Sequence, residues 1–163
     1  MLDIRPLRDS DAPAVHRLLG DPQVARWLRP GGMSEPFSLT ECEHFVQAQI
    51  GHWSAHRFGT SLGWEGGRCV GWSLLQHTIV AGSSEVEIGW TVARPDWGRG
   101  LGTRLGRHAL DHAGGLGLRS TIAYTRPDNV ASRRIMEKLG LSYEREFEHR
   151  GLPHVLYRTA LSA

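Results

Sequence analysis

Residues 97–103 read Trp-Gly-Arg-Gly-Leu-Gly-Thr (WGRGLGT), three glycines in seven positions. Just upstream, residues 85–93 (EVEIGWTVA) alternate as a strand does. Val86, Ile88, Trp90 and Val92 share one face, and Glu85, Glu87 and Thr91 share the other. Just downstream, Leu101, Leu105, Ala109 and Ala113 recur every four residues, the stripe of a helix that Gly114 and Gly115 can end. The glycine stretch is therefore a strand-to-helix turn. The first turn of a helix exposes unpaired N–H groups and the positive end of its dipole, and glycines let that backbone wrap an anion. Phosphate is the natural guest, and a glycine turn with no ligand is the plain alternative. The phosphate loop GxxxxGK[ST] has no matching lysine here. The dinucleotide pattern GxGxxG ends on Thr103 when started at Gly98 and on Leu105 when started at Gly100, so it fails twice. A pyrophosphate held by successive amides in the spacing x-x-x-G-x-G fits residues 97–102.

Working outward, residues 2–7 alternate as a first strand. Residues 8–21 follow as a helix with Asp9, Ser10 and Asp11 as cap candidates and Val15, Leu18 and Leu19 as its apolar stripe. Residues 29–36 are a breaker-rich loop. Residues 38–53 read as a second helix: Ser38 and Glu41 have capping-box spacing, and Phe45, Ile50 and Trp53 supply a buried face. Residues 60–79 form a hairpin around Glu65-Gly66-Gly67-Arg68, with a flexible turn at 80–84. Residues 118–125 form a strand. Residues 126–140 hold a short helix capped by Asp128 or Asn129 and stopped at Gly140. The last stretch closes as two strands around residues 151–153. With 163 residues and no repeat or linker, the expectation is one α+β (mixed α/β) domain over 1–163.

Composition bounds the partners. The chain is 40% hydrophobic and 22% charged, with a net charge of +2. That is too weak, with no dense Lys/Arg run, to argue for nucleic acid. Cys42 and Cys69 lie in no metal or disulfide spacing, and the nine histidines form no paired ligand motif, so no metal is expected. The charged start is unlike a signal peptide, and no apolar run reaches the roughly 20 residues that span a bilayer. A cytoplasmic protein without membrane contact is expected.

About thirty residues after the glycine turn stand Asn129-Val130-Ala131-Ser132 and then Lys138-Leu139-Gly140-Leu141. Together with residues 86–105, 4–15 and 21–28, these resemble the GNAT superfamily of acetyl-CoA-dependent N-acyltransferases, most closely its RimJ/RimL-like branch, across nearly the whole chain. The resemblance implies a GNAT fold: a central mixed sheet, splayed in the middle, with helices on both faces. It implies acetyl-CoA as acetyl donor, with its pantetheine arm in the splay. The backbone of Trp90 and Val92 would meet the thioester and pantetheine amides. The amides of Gly98, Arg99, Gly100, Gly102 and Thr103 would cradle the pyrophosphate, with Arg94 beside them. Asn129 and Ser132 would meet the pantetheine arm. Arg133, Arg134 or Lys138 would face the remaining phosphate. Many members carry a tyrosine as thiolate acid where this chain has Met136, and Ser132 is the substitute that the branch offers.

Acetyl transfer to an amine needs a base, oxyanion donors and an acid for the thiolate. Glu87 is the candidate base, with Glu85 and solvent as rivals, and a solvated or ion-paired strand glutamate as the ordinary reading. Ser132 is equally readable as a helix-surface serine, and Asn129 as an N-cap. Trp97 and the other tryptophans read as core or cleft wall. The acceptor is a primary amine, on a small molecule or a protein N-terminus, attacked in a ternary complex. Its site would be shaped by residues 29–36 and 151–154. An acyl-CoA-binding module without catalysis and a phosphate-binding structural domain remain as alternatives, and a homodimer is common in such folds.

Overall fold

The computed structural model describes residues 1–161, so Ser162 and Ala163 of the expected 1–163 domain lie outside the described residues. Seven strands form one sheet in the order β1-β2-β3-β4-β5-β7-β6. They are β1 (Asp3–Pro6), β2 (Ser61–Glu65), β3 (Arg68–Val80), β4 (Ser83–Val92), β5 (Ser120–Thr125), β6 (Ser142–His149) and β7 (Leu152–Ala160). The helices are α1 (Ala12–Leu19), α2 (Pro22–Ala25), α3 (Leu39–His56), α4 (Leu101–Gly115) and α5 (Val130–Lys138). Every strand pair is antiparallel except β4 with β5, which is parallel and bridged by α4. The mixed, splayed sheet expected from the sequence is therefore present.

The period-two pattern of β3 and β4 sorts the helices onto two faces. Leu62, paired with Trp72, packs with Val15, Leu18, Leu19, Cys42 and Val46 of α1 and α3. Leu75, paired with Ile88, packs on the other face against Ala109, Leu110 and Ala113 of α4 and Met136 of α5. The stripe expected on α4 is all buried: Leu101, Leu105, Ala109 and Ala113 are each at most 2% exposed. A leucine buried to that degree stabilises by roughly 1.5–3 kcal/mol.

Two local readings shift. The buried face of α3 centres on Cys42, Val46 and Gln49, with Phe45, Ile50 and Trp53 half-buried at its margin. Asp11 precedes α1, but its side chain accepts from no amide of that helix. Its carboxylate accepts two bonds from the Arg5 guanidinium, both 2.8 Å, and one from the Arg8 N–H, which tie β1 to the start of the helix. The capping box of α3 is present: Ser38 Oγ accepts from the Glu41 N–H at 3.2 Å, and Glu41 accepts from the Ser38 N–H at 2.8 Å.

At Gly71 of β3, opposite Val92, a Cβ would lie 2.2 Å from the Thr91 carbonyl oxygen and 3.1 Å from Val92 Cα. These are backbone atoms of β4 and have no rotamer to change. Gly71→Ala is expected to destabilise the fold by about 1–3 kcal/mol, the scale of overpacking, measured by urea unfolding. An unchanged midpoint would mean that the end of β4 moves freely against β3.

Candidate active site

Strands β4 and β5 meet at one register pair, Glu87 with Ile122. Past it, β4 stays with β3 as far as Val92, and β5 stays with β7 as far as Thr125. The strands separate, and a cavity of about 660 Å³ opens between them. Its walls include the ends of both strands, the glycine turn, and the first turns of α4 and α5.

The turn has the expected exposed amides. Trp97 N–H donates to the Arg94 carbonyl and Arg104 N–H to the Gly100 carbonyl. Between them the amides of 98–103 find no backbone acceptor among the described residues. Gly98 and Gly100 have φ of +79° and +75°, left-handed values at which a Cβ is strained, and open space lies beside both. Gly102 is different. A Cβ there would meet Ile135 Cδ1 at 2.7 Å, so its smallness lets α4 lie against α5. Trp97 fastens the turn to the strand: its indole N–H donates to the Val92 carbonyl at 2.8 Å.

Of the residues singled out from sequence, Trp90, Val92, Gly98, Gly100, Gly102, Thr103, Asn129 and Ser132 all line this cavity. Two arginines direct their side chains elsewhere. The Arg99 guanidinium pairs with Asp96 and with Glu65, the latter at 2.7 Å, and Arg94 is exposed, 3.9 Å from Asp21. Among the three candidate bases facing phosphate, Arg134 and Lys138 line the cavity. Arg133 is engaged by the Tyr157 hydroxyl and the Pro127 carbonyl. Asn129 is the N-cap of α5: its Oδ1 accepts from the Ser132 N–H at 3.3 Å, and its Nδ2 donates to Thr125 Oγ1 at 3.0 Å. Met136 is buried in the core and also reaches the cavity wall.

Glu85 and Glu87 part company. Glu85 is gripped by Arg158 at 2.7 and 2.9 Å, and that pairing holds its carboxyl below the usual range. Glu87 faces α3 rather than solvent and has no ion pair among the described residues. Desolvation pushes its carboxyl above the usual range, against the hydrogen bonds it accepts. Those bonds come from a chain whose direction is fixed at its far end. The Thr60 N–H and hydroxyl both donate to Gln49 Oε1, at 3.2 and 2.8 Å. Gln49 must then turn its NH₂ to Gln76 Oε1, at 3.2 Å. Gln76 turns its own NH₂ to Glu87 Oε2, at 3.0 Å. The Tyr124 hydroxyl donates to the same oxygen at 3.4 Å.

Glu87 also borders a second cavity of about 450 Å³ on the α3 side of the sheet. Its outer wall comes from residues 29–31 and from the β6–β7 hairpin, including Arg150, Leu152 and His154. Trp27, Leu28, Trp72, Leu74, Tyr124 and Thr125 border both cavities. The loop is pinned by Arg29, which grips Glu41 at 2.6 and 2.9 Å and donates to the Glu35 and Pro36 carbonyls. Sequence reasoning missed Tyr124, Gln49 and Gln76. Each is an ordinary strand or helix residue until the fold puts Gln76 and Tyr124 on Glu87 and Gln49 behind Gln76. Among the described residues no group of three or more His, Cys, Asp or Glu side chains could hold a metal ion, and no helix is long and apolar enough to cross a membrane.

Residues 2–142 match the family model described as an acetyltransferase (GNAT) domain. The FsC-acetyl coenzyme A-N(2)-transacetylase of Aspergillus fumigatus is 28% identical over 159 residues. The match takes in 90% of this chain and 64% of that protein, so the chain spans a little under two thirds of this curated relative. A GNAT-family acetyltransferase from Bacillus anthracis superposes with a TM-score of 0.78 at 23% identity, over 98% of this chain and 94% of that one. RimL, the ribosomal L7/L12 alpha-N-protein acetyltransferase, in complex with coenzyme A, gives 0.81 at 18% identity, over 98% and 94%. The ribosomal-protein-S18-alanine N-acetyltransferase of Escherichia coli gives 0.70 at 19%, over 100% and 96%. At these identities the structural likenesses speak for the fold.

The buried Glu87 carboxyl has a consequence for stability. A carboxyl whose pKa is raised by folding binds its proton more tightly in the folded state. That contribution is fully present below the usual carboxylate pKa and is lost as pH rises through the raised value. Glu87→Gln removes the charge and leaves a similar shape. It is expected to raise Tm at pH 8 by roughly 2–4 °C, the response to about 1 kcal/mol in a chain of this size, with the gain shrinking towards pH 4. Thermal melts across that range check it, and a gain independent of pH would mean that folding leaves the Glu87 carboxyl at its usual pKa.

Proposed function

The chain belongs to the GNAT acetyltransferase family, and on that premise we propose that it moves an acetyl group from acetyl-CoA to a primary amine by direct attack in a ternary complex, the chain acting as one domain. The observation that carries the reading is the position of Glu87. It borders both the cleft that holds the glycine turn and the second cavity on the α3 side of the sheet, which supports donor and acceptor meeting at its carboxylate.

In this reading the amides of 98–103 bind the donor's pyrophosphate, where the dipole of α4 adds to them. Arg134 and Lys138 supply the cations for its remaining phosphate. The β4 edge at Trp90 and Val92, with Asn129 and Ser132 opposite, orients the pantetheine arm. An alkylammonium has a pKa of about 10.4, so the acceptor arrives protonated. Glu87 attracts the ammonium and takes its proton, directly or through one water. The freed lone pair attacks the thioester carbonyl carbon, and a backbone N–H of β4 near Trp90 steadies the developing oxyanion. Collapse breaks the C–S bond; the nitrogen, cationic after attack, gives up its second proton, which the Ser132 hydroxyl relays to the thiolate, since Met136 has none to give, and Glu87 later releases the first proton to solvent. The products are the acetamide and the free thiol of CoA. The raised carboxyl of Glu87 suits this role, because a base nearer neutrality holds a proton more readily.

Thiol release from acetyl-CoA over a panel of primary amines tests the reading, and release with none of them, by a chain that binds acetyl-CoA, would sink it. Gly100→Glu places a carboxylate among the turn amides and is expected to abolish acetyl-CoA binding by calorimetry in a protein folded by circular dichroism. Unchanged affinity would remove the turn from the phosphate site. Glu87→Gln is expected to lower kcat by roughly 100-fold or more at pH 7, with acetyl-CoA affinity nearly unchanged. The wild-type rate should fall as pH drops through the raised pKa of Glu87, because a protonated carboxyl accepts nothing. The variant should lack that limb and recover rate at high pH as free amine accumulates. A wild-type kcat in the variant would leave deprotonation to solvent.

A further inference from the structure

The second cavity has opposite charges at its two ends. Glu87 borders its inner end, and three arginines, Arg29, Arg126 and Arg150, contribute to its outer wall. Arg29 is fully engaged by Glu41 and two carbonyls, and its guanidinium stacks on Phe37 at 3.8 Å. Arg150 is exposed at the tip of the hairpin.

Arg126 is built in differently. It follows directly on the end of β5, and its guanidinium lies over the Trp27 ring at 4.4 Å. Residue 32 lies close above it: a Cβ on Gly32 would sit 2.4 Å from Arg126 Nη1. The side chain is only 14% exposed. Its Nε is buried and has no hydrogen-bond partner among the described residues. The carboxylate oxygen it pairs with is 3.4 Å away, on Asp128, a side chain 64% exposed to water. A buried guanidinium Nε without a hydrogen bond is costly, because that N–H loses hydration and gains only a long ion pair with an exposed carboxylate. Trp27 and the close approach of Gly32 hold this one at the cavity wall. A planar guanidinium fixed on an aromatic face is suited to grip a carboxylate with two parallel bonds.

We infer that the acceptor is a small zwitterion, an amine that also carries a carboxylate, with its ammonium at Glu87 and its carboxylate on Arg126. The inference rests on the acetyl-transfer reading and deepens it. It disfavours acceptors that are purely cationic, such as polyamines, because they would bring further positive charge to Arg126. It equally disfavours a protein N-terminus, whose α-carboxyl is an amide. His154 is compatible with this chemistry. Its Nδ1 donates to the Leu152 carbonyl at 3.0 Å, and burial holds its ring below the usual pKa, so at neutral pH it adds no charge to the pair.

The test pairs each amino acid with its own amide, and adds spermidine, as acceptors for the full chain at saturating acetyl-CoA. Wild type is expected to favour the acid over the amide by roughly 10- to 100-fold in kcat/KM, the factor that a lost charge-assisted hydrogen bond produces. Arg126→Gln is expected to erase that preference by raising KM for the acids, leaving kcat/KM for the amides within two-fold. Arg126→Lys should keep part of it, since it retains the charge without the fork. An equal loss on acids and amides in Arg126→Gln would make the residue a prop for Trp27 and overturn the inference. Amides or spermidine used as well as acids by wild type would overturn the inference alone and leave acetyl transfer standing. No release with any amine, from a chain that binds acetyl-CoA, would overturn both.

Discussion

Strands β4 and β5 are parallel neighbours joined at one pair, Glu87 with Ile122. Each has a stronger commitment on its other side. β4 is held along its length by β3, and β5 by β7. The sheet is thus two antiparallel half-sheets sharing a short seam, and right-handed strand twist carries the halves apart beyond it. Backbone edges exposed in this way are normally a liability in a sheet interior. Here α4 and α5 close over the opening, and the edge groups face a cavity in place of a neighbouring strand. The seam also decides where Glu87 goes: a residue at the last point of contact borders the opening and the opposite face together.

Holding a carboxylate at that point needs an arrangement that supplies hydrogen bonds without a cation. The Thr60–Gln49–Gln76 chain does this with neutral groups, and its polarity is set at the Thr60 backbone N–H, which can only donate. An arginine there would have held Glu87 ionised but engaged, as Arg158 does with Glu85. Neutral donors leave the carboxyl elevated by burial. The difference between two glutamates two residues apart on one strand face lies wholly in what other elements bring against them.

The glycine turn divides its labour in a similar way. Gly98 and Gly100 provide left-handed backbone and open space, whereas Gly102 provides room for Ile135, and Gly106 provides room for Leu139 and the Trp90 ring. Trp97 and Arg99, between and beside them, serve the scaffold: one caps the Val92 carbonyl, and the other joins Asp96 and Glu65. A motif read as a single ligand-binding unit is therefore part cradle and part packing surface.

Much of this was written in the chain. The alternation in β3 and β4, the four-residue stripe of α4, the Ser38–Glu41 box and the Asn129 cap are local patterns, because side-chain period and helix-end chemistry depend on near neighbours in sequence. The glycine turn was legible for the same reason, and the family resemblance pointed to Trp90, Val92, Asn129 and Ser132 of the first cavity, whereas Arg94 and Arg99, named with them, direct their side chains elsewhere and Tyr124 was missed. What the sequence could not carry was pairing at a distance. Glu85 and Glu87 share a strand face and look alike until Arg158, 73 residues on, takes one of them. The wall of the second cavity draws on residues as far apart as Leu19 and His154, and Arg126 lies on Trp27 only because the fold brings the end of β5 to the segment that follows α2. Such meetings follow from sheet order and burial, which are properties of the whole packed chain. Tertiary structure alone therefore decided which glutamate is free of an ion pair among the described residues and which arginine keeps a buried Nε without a hydrogen bond.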